Sequence, residues 1–563
     1  MDQTYVHTAP RGGSVAEEWW RDAVFYQIYP RSFADSDGDG VGDLPGITAR
    51  LQSLAELGVD CLWLSPFYVS PGADGGYDVA DYRDVDPLFG TIDDFDAMLA
   101  RAHELGVRVI VDIVPNHTSV AHPWFQQALA AAPGSRERAR FHFQDGRGTN
   151  GENPPNNWPS SFFGSAWTRT TDADGTPGQW YLHTFDPGQP DWNWDNEEIR
   201  EEFRSILRFW LDRGVDGFRV DVATSLVKAA GLPDIEEMEA FDPFVSLFGL
   251  DDEVTPTSSA VDEEAVHEIY QDWRKVLDAY EPARILVGEI WMSPKRIARY
   301  LRPGEMHQAF NFAYLEAGWK PARVKGVISA SLAAADAVGA TATWVLSNHD
   351  VVRHATRLAL DPDGPRKFGI RASDPQPDVA LGLRRARAAT LSMLALPGAV
   401  YLYQGEELGL PEHTTLDDTV RTDPAWARSG GEQAGRDGCR IPLPWEADHP
   451  AQGFNTSGAT WLPQPPSFRD LARDRQLEDE RSTLNMYTQA LAIRRRLRLG
   501  FGSLTWLDYV PDSVVAFRNG DLISVTNMGD SAVELPSGSV ILSSTSLPGE
   551  LLEPDATVWL RAQ

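Results

Sequence analysis

Eight short apolar runs, separated by stretches of helical periodicity, constrain this chain more than any other feature. The runs cover residues 24–30, 61–67, 107–115, 217–222, 285–289, 308–314, 342–346 and 399–403. Helical patterns at 48–57, 92–104, 199–212, 266–280, 324–338 and 383–396 fall between them, and 483–498 closes the series. Near-continuous apolar strands alternating with helices require a parallel sheet covered on both faces. Eight of them predict an α/β fold of the (β/α)8 TIM-barrel type, enlarged by insertions.

The spacing also predicts where the insertions lie. Residues 17–116 and 187–499 would form the barrel, and 117–186, rich in Pro, Gly, Asn and aromatics, a lobe inserted after the third strand. The tail 500–563 alternates short β-type segments with turn residues, which predicts a C-terminal antiparallel β domain. A second insertion, about 228–264, reads as acidic and partly helical, and the loop 405–480 is long enough to suggest a functional role.

Composition narrows the chemistry. A formal charge of −32 repels nucleic acid and anionic membrane surfaces, so neither is expected as a partner. Such a chain suits small neutral substrates, and its nineteen tryptophans, mostly expected in the core, include candidates for flat sugar-binding faces. There is no run of about eighteen apolar residues to span a membrane and no cationic start followed by an apolar core. With two isolated cysteines, Cys61 and Cys439, these features lead us to expect a cytoplasmic protein, monomeric or a small homo-oligomer, with no organic cofactor.

Barrel enzymes carry their chemistry at the carboxyl ends of the strands. Here those ends deliver Asp112 and His117, Arg219 and Asp221, Glu289, and His349 with Asp350, while Tyr77 and Asp78 follow the second strand. Two carboxylates in different environments are what glycoside cleavage needs. Asp221, beside Arg219, is expected to have a lowered pKa and to act as nucleophile. Glu289 ends a strongly apolar strand, where desolvation would raise its pKa and suit a general acid. Asp350 remains to bind ring hydroxyls, with His117 and His349 as hydroxyl donors.

Asp35, Asp37, Asp39 and Asp43 occupy positions 1, 3, 5 and 9 of a calcium-type loop, with the Val41 carbonyl at position 7 and Gly40 at the sharp turn. Position 12 is Gly46 rather than a bidentate glutamate, so this is not an EF-hand. Four adjacent carboxylates repel one another without a cation, which predicts bound Ca²⁺, with Mg²⁺ as the alternative.

The set 112–117, 217–221, 288–289 and 348–350 resembles, in order, the four main motifs of the α-amylase family of glycoside hydrolases, family 13. The resemblance covers nearly the whole chain from Trp19. It implies retaining hydrolysis with Asp221 as nucleophile, Glu289 as acid/base and Asp350 as transition-state stabiliser, and a sugar held by Asp78, His117, Arg219 and His349. Gln189-Pro190-Asp191-Trp192-Asn193 and Arg436-Asp437-Gly438-Cys439-Arg440 are similar to motifs of the oligo-1,6-glucosidase and α-glucosidase branch, Trp192 standing where leucine is usual. In that branch an arginine pairs with the aspartate equivalent to Asp78 and walls off the pocket. Arg436 is the expected arginine, with Arg440 as alternative. Tyr77 would stack on the terminal glucose, with Phe163 and Phe185 at the entrance. Val222, after the nucleophile, goes in this branch with acceptance of α-1,6 linkages. The implied activity is an exo-acting α-glucosidase on short α-glucosides, including isomaltose, maltose and sucrose; a glucosyltransferase or sucrose isomerase using the same intermediate is the alternative. A non-catalytic subunit of the same fold is disfavoured because all three acids are present.

Overall fold

The computed structural model describes residues 18–172, 174–235, 264–364, 368–547 and 549–562. Most of the acidic insertion expected at 228–264 therefore lies outside the described residues. The apolar runs form eight strands: β1 (Val24–Ile28), β2 (Cys61–Leu64), β3 (Arg108–Ile113), β4 (Gly217–Val220), β5 (Ile285–Gly288), β6 (Gln308–Ala309), β7 (Thr343–Val345) and β8 (Ala399–Tyr403). All neighbours are parallel, in the order β6-β5-β4-β3-β2-β1-β8-β7. The Thr343 hydroxyl donates to the Ala309 carbonyl across the remaining gap between β6 and β7, so the sheet is nearly closed as a barrel.

The helices follow from stripes and caps. Helix α1 (Leu44–Leu57) starts where the Asp43 carboxylate accepts the Gly46 amide, and stops at Gly58, whose φ of 104° few other residues adopt. Helix α2 (Ile92–Glu104) opens on a Thr91/Asp94 capping box. Helix α3 (Glu197–Asp212) lays Ile199, Phe203, Ile206, Trp210 and Leu211 against the sheet; each such side chain contributes roughly 2 kcal/mol. Helices α4 (Val266–Leu277), α5 (Pro294–Tyr300), α6 (Pro321–Val338), α7 (Val379–Leu394) and α8 (Thr483–Leu497) complete the ring. The seven-residue α5 has no counterpart in the sequence reading, because two turns give too little periodicity to register. The run 308–314 is a two-residue strand followed by a helical turn rather than one strand.

Between β3 and α3, a lobe carries a three-stranded antiparallel sheet, with Trp158, Ala166, Trp167 and Leu182 as its own apolar cluster. Its two ends meet in an antiparallel bridge between His117 and Asp191. Trp192 is buried there, stacked on Phe141 at 4.5 Å. After α8, strands β9 (Leu504–Trp506), β10 (Val514–Asn519), β11 (Leu522–Asn527), β12 (Ser539–Ser543) and β13 (Ala556–Arg561) form an antiparallel sheet ordered β9-β10-β11-β13-β12. It docks on α7, where the indole of Trp559 donates to the Leu391 carbonyl at 2.9 Å. Thirteen of the nineteen tryptophans are buried, in line with a mainly structural role for them. No helix among the described residues is long and apolar enough to cross a membrane. Cys61 and Cys439 are both free and buried.

Register sets the site. Ile113, Val220 and Gly288 are level across β3, β4 and β5, so Asp221 and Glu289 leave adjacent strands side by side. Gly217 allows β4 this close to β5: a Cβ there would lie 2.4 Å from the Ile285 carbonyl oxygen. Alternation puts Arg219 and Asp221 on one face and Phe218 and Val220 on the other.

Candidate active site

Arg219, 1% exposed, is the hub of the barrel mouth. Its Nη1 donates to Asp221 Oδ1 at 2.6 Å and to Asp112 Oδ1 at 3.1 Å, and its Nη2 lies 2.9 Å from Glu289 Oε2. Trp63 and Tyr77 flank the guanidinium at 5.1 and 5.9 Å, which keeps water away and strengthens each contact. Glu289 is held on both oxygens: Oε2 accepts the Val222 amide at 2.9 Å and Oε1 the Trp291 indole at 3.0 Å. Val222 donates from a left-handed backbone, φ 45°, an unusual conformation for a β-branched residue. The Trp291 ring is stacked on Phe312 at 3.6 Å.

One cation thus serves three acids, Asp112 and Asp221 buried and Glu289 partly so. Burial pushes the Asp112 carboxyl up to about 7, with Arg219 and the Tyr77 hydroxyl pulling the other way. Burial likewise pushes Asp221 well above the usual carboxylate range; Arg219 lowers it, while Glu289 and Asp112 raise it further. The expectation that Arg219 alone keeps Asp221 ionised is therefore corrected. It treated the arginine as belonging to one neighbour, whereas three carboxylates share it.

A second cluster lies across the mouth. Arg436 reaches Asp423 Oδ2 through Nε at 2.5 Å, Asp74 Oδ1 through Nη2 at 2.6 Å and Asp350 Oδ1 through Nη1 at 3.2 Å. Arg440 donates to the same Asp350 oxygen at 3.0 Å, and His349 Nε2 lies 3.1 Å from the other. Burial opposes the Asp350 charge, but His349, Arg436 and Arg440 outweigh it and hold the carboxyl well below its ordinary range. Burial depresses the His349 pKa while Asp350 opposes it, and the ring is stacked on Tyr77 at 5.3 Å.

The expected partner of Arg436 is also corrected. Asp78 turns into its own loop, accepting from the Ser70 hydroxyl at 2.8 Å and the Ala73 and Asp74 amides at 2.9 and 3.1 Å. Asp74 takes the position assigned to it. Two aspartates four residues apart in a Gly-rich loop look alike in sequence; left-handed turns at Gly75 and Gly76, φ 59° and 106°, decide which one faces the mouth. Asp423 was missed because it joins Arg436 from thirteen residues upstream within an irregular loop. Tyr77 is buried, its hydroxyl donating to Asp112 Oδ2 at 2.8 Å. His117 packs on Phe185 at 5.2 Å, and Phe185 in turn on Phe162 at 5.6 Å. Phe162 lies under Arg436 at 5.0 Å, and Phe163, at φ 72°, is exposed.

In the acidic loop, oxygens of Asp35, Asp37 and Asp39 lie within 4.8 Å of one another, a hard-oxygen set suited to a divalent cation. Asp43 stands apart. Its Oδ1 caps α1 through Gly46 at 2.6 Å, and its Oδ2 accepts the Ser36 amide and hydroxyl at 2.9 and 2.8 Å. The Val41 amide donates to Asp39 at 2.7 Å, and no carboxylate group that could hold a metal includes Asp43 among the described residues. Asn455, not expected from sequence, donates to Asp35 Oδ2 at 2.6 Å.

The profile of the alpha-amylase catalytic domain matches residues 27–499. A probable alpha-glucosidase of Rhizobium meliloti is 38% identical over 541 residues, covering 92% of this chain and 91% of the relative. An oligo-1,6-glucosidase of Parageobacillus thermoglucosidasius is 34% identical, covering 91% of each. The crystal structure of an alpha-glucosyl transfer enzyme superposes with a TM-score of 0.80 at 35% identity, covering 97% of this chain and all of that one.

Proposed function

The chain belongs to the α-amylase family and is a glycoside hydrolase; from that premise we propose that it is an exo-acting, retaining α-glucosidase. It would release glucose from the non-reducing end of short α-glucosides. One observation carries the reading: a single guanidinium touches both Asp221 and Glu289. That closeness suits the ~5 Å carboxyl separation of retaining enzymes rather than the wider ~6.5–9.5 Å gap that admits a water in inverting ones.

In this mechanism Asp221 attacks the anomeric carbon as Glu289 gives its proton to the leaving oxygen. The glucosyl ester is then hydrolysed by a water that Glu289 deprotonates. Asp112 and Asp221, both raised by burial beside that one cation, support holding a proton at the site for the first step. Asp350, fixed as an anion, would bind ring hydroxyls and the developing positive charge. The Asp74–Arg436–Asp350 bridge would close the pocket beyond one sugar, which supports exo action. Tyr77, His117, His349 and Phe185 would line that subsite. Val222 tilts the reading towards α-1,6 linkages, by no more than about 1–3 kcal/mol. We further assign a structural Ca²⁺, with Mg²⁺ as alternative, to Asp35, Asp37 and Asp39, and a cytoplasmic location.

Proton NMR of the first-formed sugar tests the core of the proposal: α-glucose is expected, and β-glucose would overturn it. kcat/KM on isomaltose, maltose, sucrose and trehalose fixes the linkage. The likeness to an alpha-glucosyl transfer enzyme favours one second reading, transfer to a sugar instead of water. Predominantly transglycosylation products at high substrate would establish it.

A further inference from the structure

The motif Gln189-Pro190-Asp191 carries none of the chemistry above, yet Gln189 and Asp191 are fully buried where the lobe rejoins the barrel. The Gln189 amide is oriented by its oxygen, which accepts the Asp186 amide at 3.0 Å. Its nitrogen then points the other way, 3.1 Å from Asp74 Oδ2 and 3.1 Å from His117 Nε2. Asp74 is thereby held at both oxygens, by Gln189 on Oδ2 and by Arg436 on Oδ1 at 2.6 Å.

The second half of the motif fixes the other nitrogen of the same histidine. Asp191 pairs with the buried Lys228 at 3.0 Å, and Lys228 donates to Asn116 Oδ1 at 2.8 Å. That orients the Asn116 nitrogen, which lies 3.1 Å from His117 Nδ1. Two amide N–H groups, each fixed from behind, therefore address both ring nitrogens. Burial lowers the His117 pKa, against the opposing pull of Asp191 and Asp74, and keeps the ring neutral, and a neutral ring accepts from only one donor at a time. The contact of Gln189 with Asp74 is the constant one.

We propose that Gln189 is a positioning residue for sugar recognition: it locks the Asp74 carboxylate so that Arg436 stays across the mouth, and it sets the His117 ring. This inference rests on the reading of that mouth as the glucosyl subsite. Without the Gln189 N–H, Asp74 can rotate about its own side-chain bonds, and Arg436 loses one of its three fixed anchors.

The test compares Gln189→Glu and Gln189→Leu, each close to the native volume, with the parent on p-nitrophenyl α-glucoside, alone and with Asp74→Ala. KM should rise about tenfold or more with kcat changed less than about threefold, at a melting temperature within a few degrees of the parent. With Asp74→Ala already present, the further rise should shrink below about twofold, as expected for residues acting through one contact. An unchanged KM, effects that multiply in the Asp74→Ala background, or two variants that do not fold would each overturn the inference. A parent that turns over no α-glucoside would instead remove the glucosidase reading itself.

Discussion

The mouth of the barrel holds two groups of three aspartate or glutamate side chains that differ in their supply of cations. Around Arg219, the acids Asp112, Asp221 and Glu289 share one guanidinium. Across the cleft, Asp74, Asp350 and Asp423 share Arg436, and Arg440 adds a second guanidinium at Asp350. Burial is similar, so the charge count decides. In the first group Asp112 and Asp221 are pushed up by burial that one cation cannot offset. In the second, Asp350 and Asp423 stay depressed despite burial, because Arg436 and Arg440 outweigh it. One group stores a proton and the other stores fixed charge, as acid–base chemistry beside an immobile anion requires.

The largest expected effect removes a member of the proton-storing group. Asp221→Asn should lower kcat/KM on p-nitrophenyl α-glucoside by about a thousandfold or more, while the protein stays folded, since a buried repulsion is lost. Retention of full activity would break the comparison at its first term. Next comes the opposite group. Arg436→Ala leaves the buried Asp74 and Asp423 and the partly buried Asp350 short of a cation, which should cost about 3–5 kcal/mol in denaturant unfolding and raise KM. A variant as stable as the parent would mean that Arg440 suffices alone.

The pH dependence of stability sharpens the same contrast. A carboxyl raised to about 7 in the fold binds its proton in the native state over a range, about pH 4 to 7, where the unfolded chain has lost it. Stability from this group is therefore present below its unfolded pKa of 3.8 and is lost as pH rises towards 7. The depressed Asp350 and Asp423 act in the reverse sense, their contribution being lost as pH falls below about 4. Melting temperature should thus fall between about pH 5 and 7.5, less steeply in Asp112→Asn; equal slopes would take Asp112 out of the account. The smallest effect concerns a third group, Asp35, Asp37 and Asp39, for which no guanidinium partner is found among the described residues. Chelation by EDTA should lower the melting temperature by a few degrees, corresponding to about 1–3 kcal/mol, and leave kcat unchanged. An unchanged melting temperature would remove the metal.

Much of this was legible in the chain. The strand ends deliver Asp221, Glu289 and Asp350 because a parallel barrel brings every carboxyl end to one face, whatever the connecting loops do. Pair identities were less so. Choosing between Asp74 and Asp78 requires the backbone angles of Gly75 and Gly76, and Asp423 is joined to Arg436 by an irregular loop that no periodicity marks. The Asp221 charge was misjudged for a related reason: sequence shows an arginine two residues away, but the rival claims of Asp112 and Glu289 come from neighbouring strands. Likewise, nothing in the letters around Val222 announces a left-handed valine whose amide holds Glu289.

The bridge between His117 and Asp191 brings the two ends of the lobe together in a single backbone pairing. A segment whose ends meet in this way can be exchanged as a unit, provided residues 232–235, which pack and hydrogen-bond against its apolar cluster, travel with it. Where the cut is made decides what travels. A splice drawn just inside residue 189 leaves the Asp74 lock with the host barrel, while one drawn just outside it imports the donor's lock together with the donor's rim. Two chimeras that differ by a handful of residues at this neck would therefore inherit their selectivity from different parents.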